Sequence, residues 1–340
     1  MAAIMNGAPR VTVLMPVYNG EAYLREAVAS ILGQSFTDFE LLVINDGSCD
    51  RSVDVLTSFD DHRIRLVHNT QNLGLIASLN RGFELSQGEY IARMDCDDIS
   101  LPERLEKQVA FLDAHPNAGV CGTWFRKFGQ GVHKVVRWES APDSVRSAML
   151  FSCSLAHPTI MLRRCVFDSY GLRYDPEYLH AEDYDLWVRA LKYMDMANLP
   201  EVLLDYRVHP DQVTQRLSKT QIETAGRVRK RQLEEAGFVP TPEDFLTHQA
   251  ISICESAGME HPFQAADDWL VSLVRRNSEL RVYPKAAFSQ VLLEKWLTFV
   301  NKCRKTPYSA ARYLLRRPRF MREAGLGWVR LLKTLFRLRG

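Results

Sequence analysis

Hydrophobic positions along the chain follow two periods. Val11-Thr-Val-Leu-Met15 is a β-branched apolar run ending at Pro16, and Phe39-Glu-Leu-Leu-Val-Ile44 repeats the pattern before stopping at Asn45-Asp46-Gly47-Ser48. Both read as buried strands closed by turn residues. Residues Ile64 to Val67 and Tyr90 to Met94 read as a third and a fourth strand. Between the strands the spacing becomes helical. Leu24, Ala27, Val28, Ile31 and Leu32 share one face of a helix from Glu21 to about Gly33, with Asn19 as its cap, and Leu75 to Leu85 form another. Strands that alternate with helices imply a parallel α/β sheet.

Farther along, Ser100-Leu-Pro-Glu103 reads as a capping box that starts a helix to about Ala114. Val120 to Phe125, Ile160 to Arg163 and Val202 to Arg207 are strand candidates, and Glu182 to Leu191 suits a helix. Beyond Arg216 the pattern is helical throughout: Gln221 to Ala236, a capped start at Thr241-Pro-Glu-Asp244 running to about Ala257, Phe263 to Arg276, and Lys285 to Lys302. Three regions follow: residues 1–237 as the α/β domain, 238–300 as a helical extension and 301–340 as a tail.

Composition narrows the class. With 340 residues, 46% hydrophobic and 25% charged, the chain is an ordinary globular protein able to bury a large core. Its seven cysteines are scattered and never spaced CxxC, which argues against a disulfide framework or a structural zinc and suits a reducing cytosol. No basic region followed by an apolar run opens the chain, and no apolar stretch reaches spanning length. The net charge of +2 hides an asymmetry: residues 301–340 hold twelve Lys or Arg against the single acid Glu323, whereas the first 300 residues hold 31 basic and 40 acidic side chains. In that tail Trp328, Leu331, Leu332, Leu335 and Leu338 share one helical face and Arg330, Lys333 and Arg337 another. Such a helix suits an anionic membrane surface, and it equally suits packing on the body or on a second subunit.

The candidate chemistry centres on Gly88-Glu-Tyr-Ile-Ala-Arg-Met-Asp-Cys-Asp-Asp-Ile99. A buried strand running into Asp95, Asp97 and Asp98 repels itself unless a cation or a set of donors is present. A hard divalent ion, Mn²⁺ or Mg²⁺, would accept such carboxylates and fill its other positions with phosphate oxygens. The alternative is a solvated acidic turn that caps the next helix. In parallel sheets ligands sit beyond the carboxyl ends of the strands, so Pro16 to Asn19, Asp46 and Asp95 to Asp98 should gather on one edge.

Seven separated motifs then coincide in order: Val13-Leu-Met-Pro-Val-Tyr-Asn19, Val43-Ile-Asn-Asp-Gly-Ser48, Asn72-Leu-Gly74, Gly88-Glu-Tyr-Ile-Ala92, Asp95-Cys-Asp-Asp98, Glu182-Asp183 with Leu186-Trp187, and Tyr206-Arg-Val-His209. Over roughly residues 10–215 the chain resembles the family 2 glycosyltransferases of the GT-A fold, the bacterial group that builds lipopolysaccharide, capsule and exopolysaccharide. The resemblance implies a Rossmann-like, mostly parallel sheet flanked by helices, with a helical C-terminal extension. It implies an inverting, metal-dependent transfer from a nucleotide-diphosphate sugar, UDP being the commonest nucleotide, to a hydroxyl of a glycan or lipid-linked acceptor. On this reading the donor side comprises Pro16, Val17, Tyr18, Asn19, Glu21, Asp46, Asn72, Gly74, Arg81, Asp95 and Cys96. Asp97 and His209 lie on the metal, and Asp98 serves as an outer support or a helix cap. Asp183 is the base that takes the acceptor proton, and His157, Glu182 and Trp187 lie on the acceptor side. The chain lacks the Gln-x-x-Arg-Trp motif of processive members.

Three rival readings are open to these residues. A nucleotidyltransferase on a related fold needs a Gly-rich loop where this chain reads Pro16-Val-Tyr-Asn19. A catalytically weak nucleotide-sugar binding protein would not need both Asp97 and Asp183. A nucleic-acid-binding tail is disfavoured by its leucines and Trp328. The expected setting is the cytoplasmic face of the cell membrane, with the protein bound peripherally through its tail and oligomerisation left open.

Overall fold

The computed structural model describes residues 7–210, 218–303 and 318–339. They divide into two compact units, Met1–Pro142 with Ser154–Gln221, and Asp143–Cys153 with Ile222–Gly340.

Nine strands of the first unit form one sheet: β1 (Val11–Val17), β2 (Phe39–Asn45), β3 (Ile64–His68), β4 (Tyr90–Arg93), β5 (Ile99–Ser100), β6 (Ala118–Gly129), β7 (Val132–Val136), β8 (Met161–Arg163) and β9 (Asp195–Arg207). The order is β3-β2-β1-β4-β8-β6-β9-β5, with β7 added to β6. The first four are mutually parallel. From β8 onward the sheet is mixed, with β6 and β9 parallel and the remaining pairs antiparallel. This is the α/β architecture that the alternating periods imply.

Every residue of β1 and β2 is buried, which is why their sequences run as near-continuous apolar stretches rather than alternating. The helix Glu21–Leu32 turns Leu24, Ala27, Val28 and Ile31 inward, and Leu75–Leu85 does the same with Ile76, Leu79 and Phe83. Each fully buried aliphatic or aromatic side chain contributes about 1.5–3 kcal/mol, so the strands are a rigid base for their exposed carboxyl ends. At the opposite end, Thr12 Oγ1 donates to Glu40 Oε1 at 2.6 Å and accepts from Gly88 N at 2.9 Å, satisfying the turn that feeds β4.

Two local expectations change. Ser100 is not a helix cap: it pairs with Leu204 of β9, and the helix begins later, at Arg104, with Glu103 before it. Asn19 does not cap its helix either. With φ at +51° it accepts from Cys49 N at 2.8 Å and so ties the β1 turn to the turn after β2.

The second unit is helical: Ser218–Glu235, Pro242–Ile253, Pro262–Leu280, Lys285–Cys303, Arg319–Glu323 and Trp328–Arg339, together with most of Pro142–Ala148. Thr241 and Asp244 form the expected reciprocal capping box. The unit takes Leu233 of the helix Ser218–Glu235 into its core, ahead of residue 238 where the helical extension was expected to begin. It also captures the segment after Ala148. Gln232 donates to the Met149 carbonyl at 2.8 Å, His248 approaches the Leu150 carbonyl at 3.0 Å, and Arg229 donates to the Phe151 carbonyl at 3.0 Å. Three consecutive carbonyls thus find buried partners on two helices.

Of the two roles read for the tail, packing on the body is seen for part of it. Phe320, Met321, Leu326 and Leu331 lie in the core of the second unit, and Asp267 accepts from the backbone N–H groups of Arg319 and Phe320. Thr334 is buried beside Gln290. Leu331 therefore packs inward, while Val329 and Leu332 are exposed. The side chains of Trp328, Leu335 and Leu338 lie outside the described residues. No helix among the described residues is long and apolar enough to cross a membrane.

Candidate active site

The parallel strand ends place four loops side by side. Pro16 and Val17 are buried strand residues, so only Tyr18 and Asn19 of that turn are exposed. Glu21 Oε2 accepts from Arg51 N at 3.1 Å, and Asp50 Oδ2 accepts from Glu21 N at 2.9 Å, which locks the helix start to the loop after β2. Gly47 is required in that loop: its φ is +71°, and a Cβ would stand 2.7 Å from the Gln71 carbonyl carbon.

Asp46 is 4% exposed and organises the third loop. Its Oδ1 accepts from Asn69 Nδ2 at 2.6 Å and from Leu73 N at 2.9 Å, and its Oδ2 accepts from Gly74 N at 2.9 Å. Asn72 Oδ1 also takes the Gly74 N–H, at 3.1 Å. Asp46 thus holds the Asn72-Leu73-Gly74 segment, leaving about one acceptor site on Oδ2 for a ligand. Arg81 is engaged with the His68 carbonyl at 2.8 Å and with Asn69, so it buttresses the end of β3 rather than extending freely toward a phosphate.

The acidic cluster lies beyond β4. One carboxylate oxygen from each of Asp95, Asp97 and Asp98 lies within 4.8 Å of the others. Burial pushes Asp95 up to about 6 against the pull of the Arg93 guanidinium, which forms an ion pair with it. Burial, reinforced by Asp95 and Asp97, lifts Asp98 well above the usual carboxylate range. Asp98 is 1% exposed; its Oδ1 accepts from Arg207 N at 2.8 Å, and its buried Oδ2 has no hydrogen-bond partner among the described residues. An orphaned buried carboxylate oxygen beside two further carboxylates is what a hard divalent cation would satisfy, so these residues fit one. Cys96 packs against the start of the first helix: its Sγ would lie 3.0 Å from a Cβ at Gly20, and burial raises its thiol.

His209 stands outside the carboxylate trio. Its Nε2 is 2.9 Å from Asp97 Oδ2, and its ring packs on Tyr23 at 4.8 Å between centroids. In this arrangement it holds the Asp97 carboxylate in place. Arg207 was missed in the sequence reading, although it sits within the Tyr206-Arg-Val-His209 motif. It donates from Nε to the Asp97 carbonyl at 2.8 Å and lies between the rings of Tyr23 and Phe128, 4.6 Å from each. Arg93 and Arg104 were missed too. Both are buried beneath the cluster, and Arg104 donates to the Arg93 carbonyl at 2.7 Å. Burial lowers Arg104 to about 9, which leaves it charged at neutral pH.

The helix Glu182–Ala190 starts beside this cluster. Asp183 is half-buried at its first turn, and its charge contributes to the raised pKa of Asp95. Glu182 is 7% exposed, its Oε2 has no hydrogen-bond partner among the described residues, and burial raises its pKa. Two residues expected on the acceptor side are buried. Trp187 is fully buried, with edge-on contacts to His157, Phe167 and Tyr174, so it belongs to the core. His157 is 9% exposed, its Nε2 lies 2.7 Å from the Tyr174 hydroxyl, and burial holds its pKa well below the usual range. It is a buried, neutral imidazole packed with Tyr174 and Trp187.

The family model Glycosyl transferase family 2 matches residues 12–168. An uncharacterized glycosyltransferase of Haemophilus influenzae is 32% identical over 241 residues, spanning 67% of this chain and 75% of the relative. The chain belongs to glycosyltransferase family 2. The amylovoran biosynthesis glycosyltransferase AmsE of Erwinia amylovora is 29% identical over 236 residues, covering 67% of this chain and 88% of AmsE. Among solved structures, S. aureus TarS residues 1–349 in complex with UDP-GlcNAc aligns with a TM-score of 0.59 at 17% identity, covering 94% of this chain and 93% of that one. That likeness speaks to the fold.

Proposed function

We propose that the protein transfers a sugar, with inversion, from a UDP-sugar to a hydroxyl of a glycan or lipid-linked acceptor in the synthesis of a cell-surface polysaccharide. The observation that carries this reading is the acidic loop, with Asp98 Oδ2 buried and unpartnered beside Asp95 and Asp97. AmsE, by name an amylovoran biosynthesis enzyme, supports the polysaccharide setting, and the UDP-GlcNAc bound to TarS supports the nucleotide.

Asp95, Asp97 and Asp98 would hold Mn²⁺ or Mg²⁺ with the donor diphosphate. When bound, the ion supplies Lewis-acid shielding of the charge that grows on the leaving diphosphate. Asp97 is oriented for this by His209 and Arg207, and Asp98 by the Arg207 backbone. The exposed turn at Tyr18 and Asn19, and the loop tethered by Asp46, would flank the nucleoside. Asp183 would accept the proton of the attacking hydroxyl, since it is the half-buried carboxylate that opens the neighbouring helix. One base and one in-line displacement give inversion. Glu182, more deeply buried, would keep its proton longer and orient the acceptor.

The membrane part of the reading now rests on charge. Twelve basic residues lie between 301 and 340, each worth about 1 kcal/mol near an anionic surface. Calorimetric titration of UDP with Mn²⁺ and then with chelator tests the donor site. Binding should strengthen at least tenfold with the ion, and equal affinities would refute the metal assignment.

A further inference from the structure

Strand β4 sorts the supports of the acidic loop into two layers. Tyr90, Ala92 and Met94 lie in one hydrophobic core with Leu24 and Leu105, so alternation turns Ile91 and Arg93 to the opposite face. On that face Leu14, the register partner of Arg93, presses on Gly82 of the helix Leu75–Leu85, where a Cβ would find no room. Asp97 is steadied from the first layer, by His209 and Arg207 beside Tyr23 of the helix Glu21–Leu32. Asp95 is steadied from the second, by its ion pair with Arg93.

Arg93 is 4% exposed, and the fold spends little of it. Its Nη1 donates to Asp95, and its buried Nε has no hydrogen-bond partner among the described residues. Arg104, the neighbouring buried guanidinium, donates to Gln108, to Met94 Sδ and to the carbonyls of Arg93 and Ile160, all neutral groups. Arg93 is therefore the buried cation that meets an acid directly. Its charge also reaches the helix Glu182–Ala190: burial raises Glu182, and Arg93 opposes that rise. Asp183, on the same first turn, in turn adds to the raised pKa of Asp95, which burial chiefly sets. Glu182 Oε2 is a buried acceptor without a partner among the described residues. A buried donor and a buried acceptor left unspent, on side chains of opposite charge, are not explained by stability.

We propose that Arg93 is a positioning residue for sugar transfer: it acts through Asp95 on the donor and through Glu182 on the acceptor, and so fixes the spacing of the two substrates. The proposal rests on the glycosyltransferase reading, in which Asp95 belongs to the donor diphosphate and Glu182 to the acceptor. Carboxylates gathered from a strand end and a helix start repel one another, and a buried guanidinium between them holds each in place. A reacting pair displaced by about 1 Å can lose roughly 10²-fold in rate, so a group that touches neither substrate can still set turnover.

The test follows release of UDP by the full chain with Mn²⁺ from UDP-glucose, UDP-galactose and UDP-N-acetylglucosamine, with water standing in for the acceptor hydroxyl. The proteins are the parent, Arg93→Lys, Arg93→Gln and Arg93→Met, each also in the Glu182→Gln background, with UDP–Mn²⁺ affinity and Tm measured on all. Arg93→Met should lose about 10- to 100-fold in kcat, at least about tenfold more than its change in UDP–Mn²⁺ affinity. Arg93→Lys keeps the charge and should recover at least about half of that loss on a logarithmic scale. In the Glu182→Gln background Arg93→Met should cost at least about threefold less, because one of the groups it acts through is already altered. Should Arg93→Met fail to fold, Arg93→Gln carries the same comparisons. An unchanged kcat, a loss that Lys does not relieve and that follows Tm and UDP–Mn²⁺ affinity in parallel, or full multiplication of the Arg93 and Glu182 effects would overturn the proposal while leaving the donor-site reading intact. No release from any of the three by the parent would overturn the donor assignment, and the proposal with it.

Discussion

Arg207 is joined to Asp97 through the backbone: its Nε donates to the Asp97 carbonyl at 2.8 Å, while its own N–H goes to Asp98 Oδ1 at 2.8 Å. One residue at the end of β9 thus sets the positions of two carboxylates on a loop more than a hundred residues earlier. Its guanidinium is held between Tyr23 and Phe128, so the contact has little freedom to shift.

Replacing Arg207 by Met keeps a long apolar stem between the two rings but removes the donor. Its backbone N–H to Asp98 remains. The hydrogen bonds lost involve a charged donor, worth about 1.5–3 kcal/mol. UDP affinity in the presence of Mn²⁺ should fall about tenfold or more, with UDP affinity in chelator unchanged. A parallel fall in both would mean that Arg207 supports the fold generally rather than the acidic loop.

Asp183→Asn should retain UDP–Mn²⁺ binding and lose roughly 10²- to 10⁴-fold in kcat, the usual worth of a placed general base. If turnover stays within a few-fold of the parent, the helix-end acid is not the base, and Glu182 becomes the group to test.

Arg229→Met should destabilise the protein by about 1–3 kcal/mol in urea unfolding, since it leaves the Phe151 carbonyl without its buried donor. Phe320→Ala should cost more, about 3–5 kcal/mol, because Phe320 is fully buried against Trp296. An effect below 1 kcal/mol for Phe320→Ala would show that the tail is not part of the second unit's core.

That packing changes how the tail must be tested on membranes. Cutting the chain at residue 303 would remove Phe320, Met321 and Leu331 from the core and confound anchoring with unfolding. Replacing Arg304, Lys305, Arg312, Arg316 and Arg317 by Gln removes five charges while retaining Phe320, Met321 and Leu331. The parent should float with anionic vesicles at low salt and dissociate near 0.5 M salt, and the substituted chain, with seven of the twelve charges left, should bind more weakly and dissociate at lower salt. Salt-insensitive flotation of both would exclude an electrostatic anchor.

How far this arrangement was legible in the sequence depends on whether the information was local. The four parallel strands were readable because β1 and β2 are buried on both faces and end in turn residues. β9 was seen only from Val202 because Pro200 interrupts the pattern; the register shifts between Leu199 and Val202, and this bulge keeps Pro200 out of the ladder. β5 and β7 were missed because a two-residue strand and a polar edge strand carry little periodicity. The acidic motif and Asp183 were visible as motifs. The groups that arrange them were not: Arg93 and Arg104 look like solvated cations, and only the fold buries them under the cluster. Trp187 erred in the opposite direction, since its place in a family motif suggested a site role and burial assigns it to packing.

The most direct measurement is a screen of nucleotide sugars for release of nucleoside diphosphate, run with Mn²⁺ and with chelator on the parent and on Asp97→Ala. The account predicts that at least one UDP-sugar is hydrolysed with Mn²⁺, and that chelator or Asp97→Ala abolishes the release while Tm stays within a few degrees of the parent. Hydrolysis that proceeds equally in chelator, or in Asp97→Ala, would contradict it.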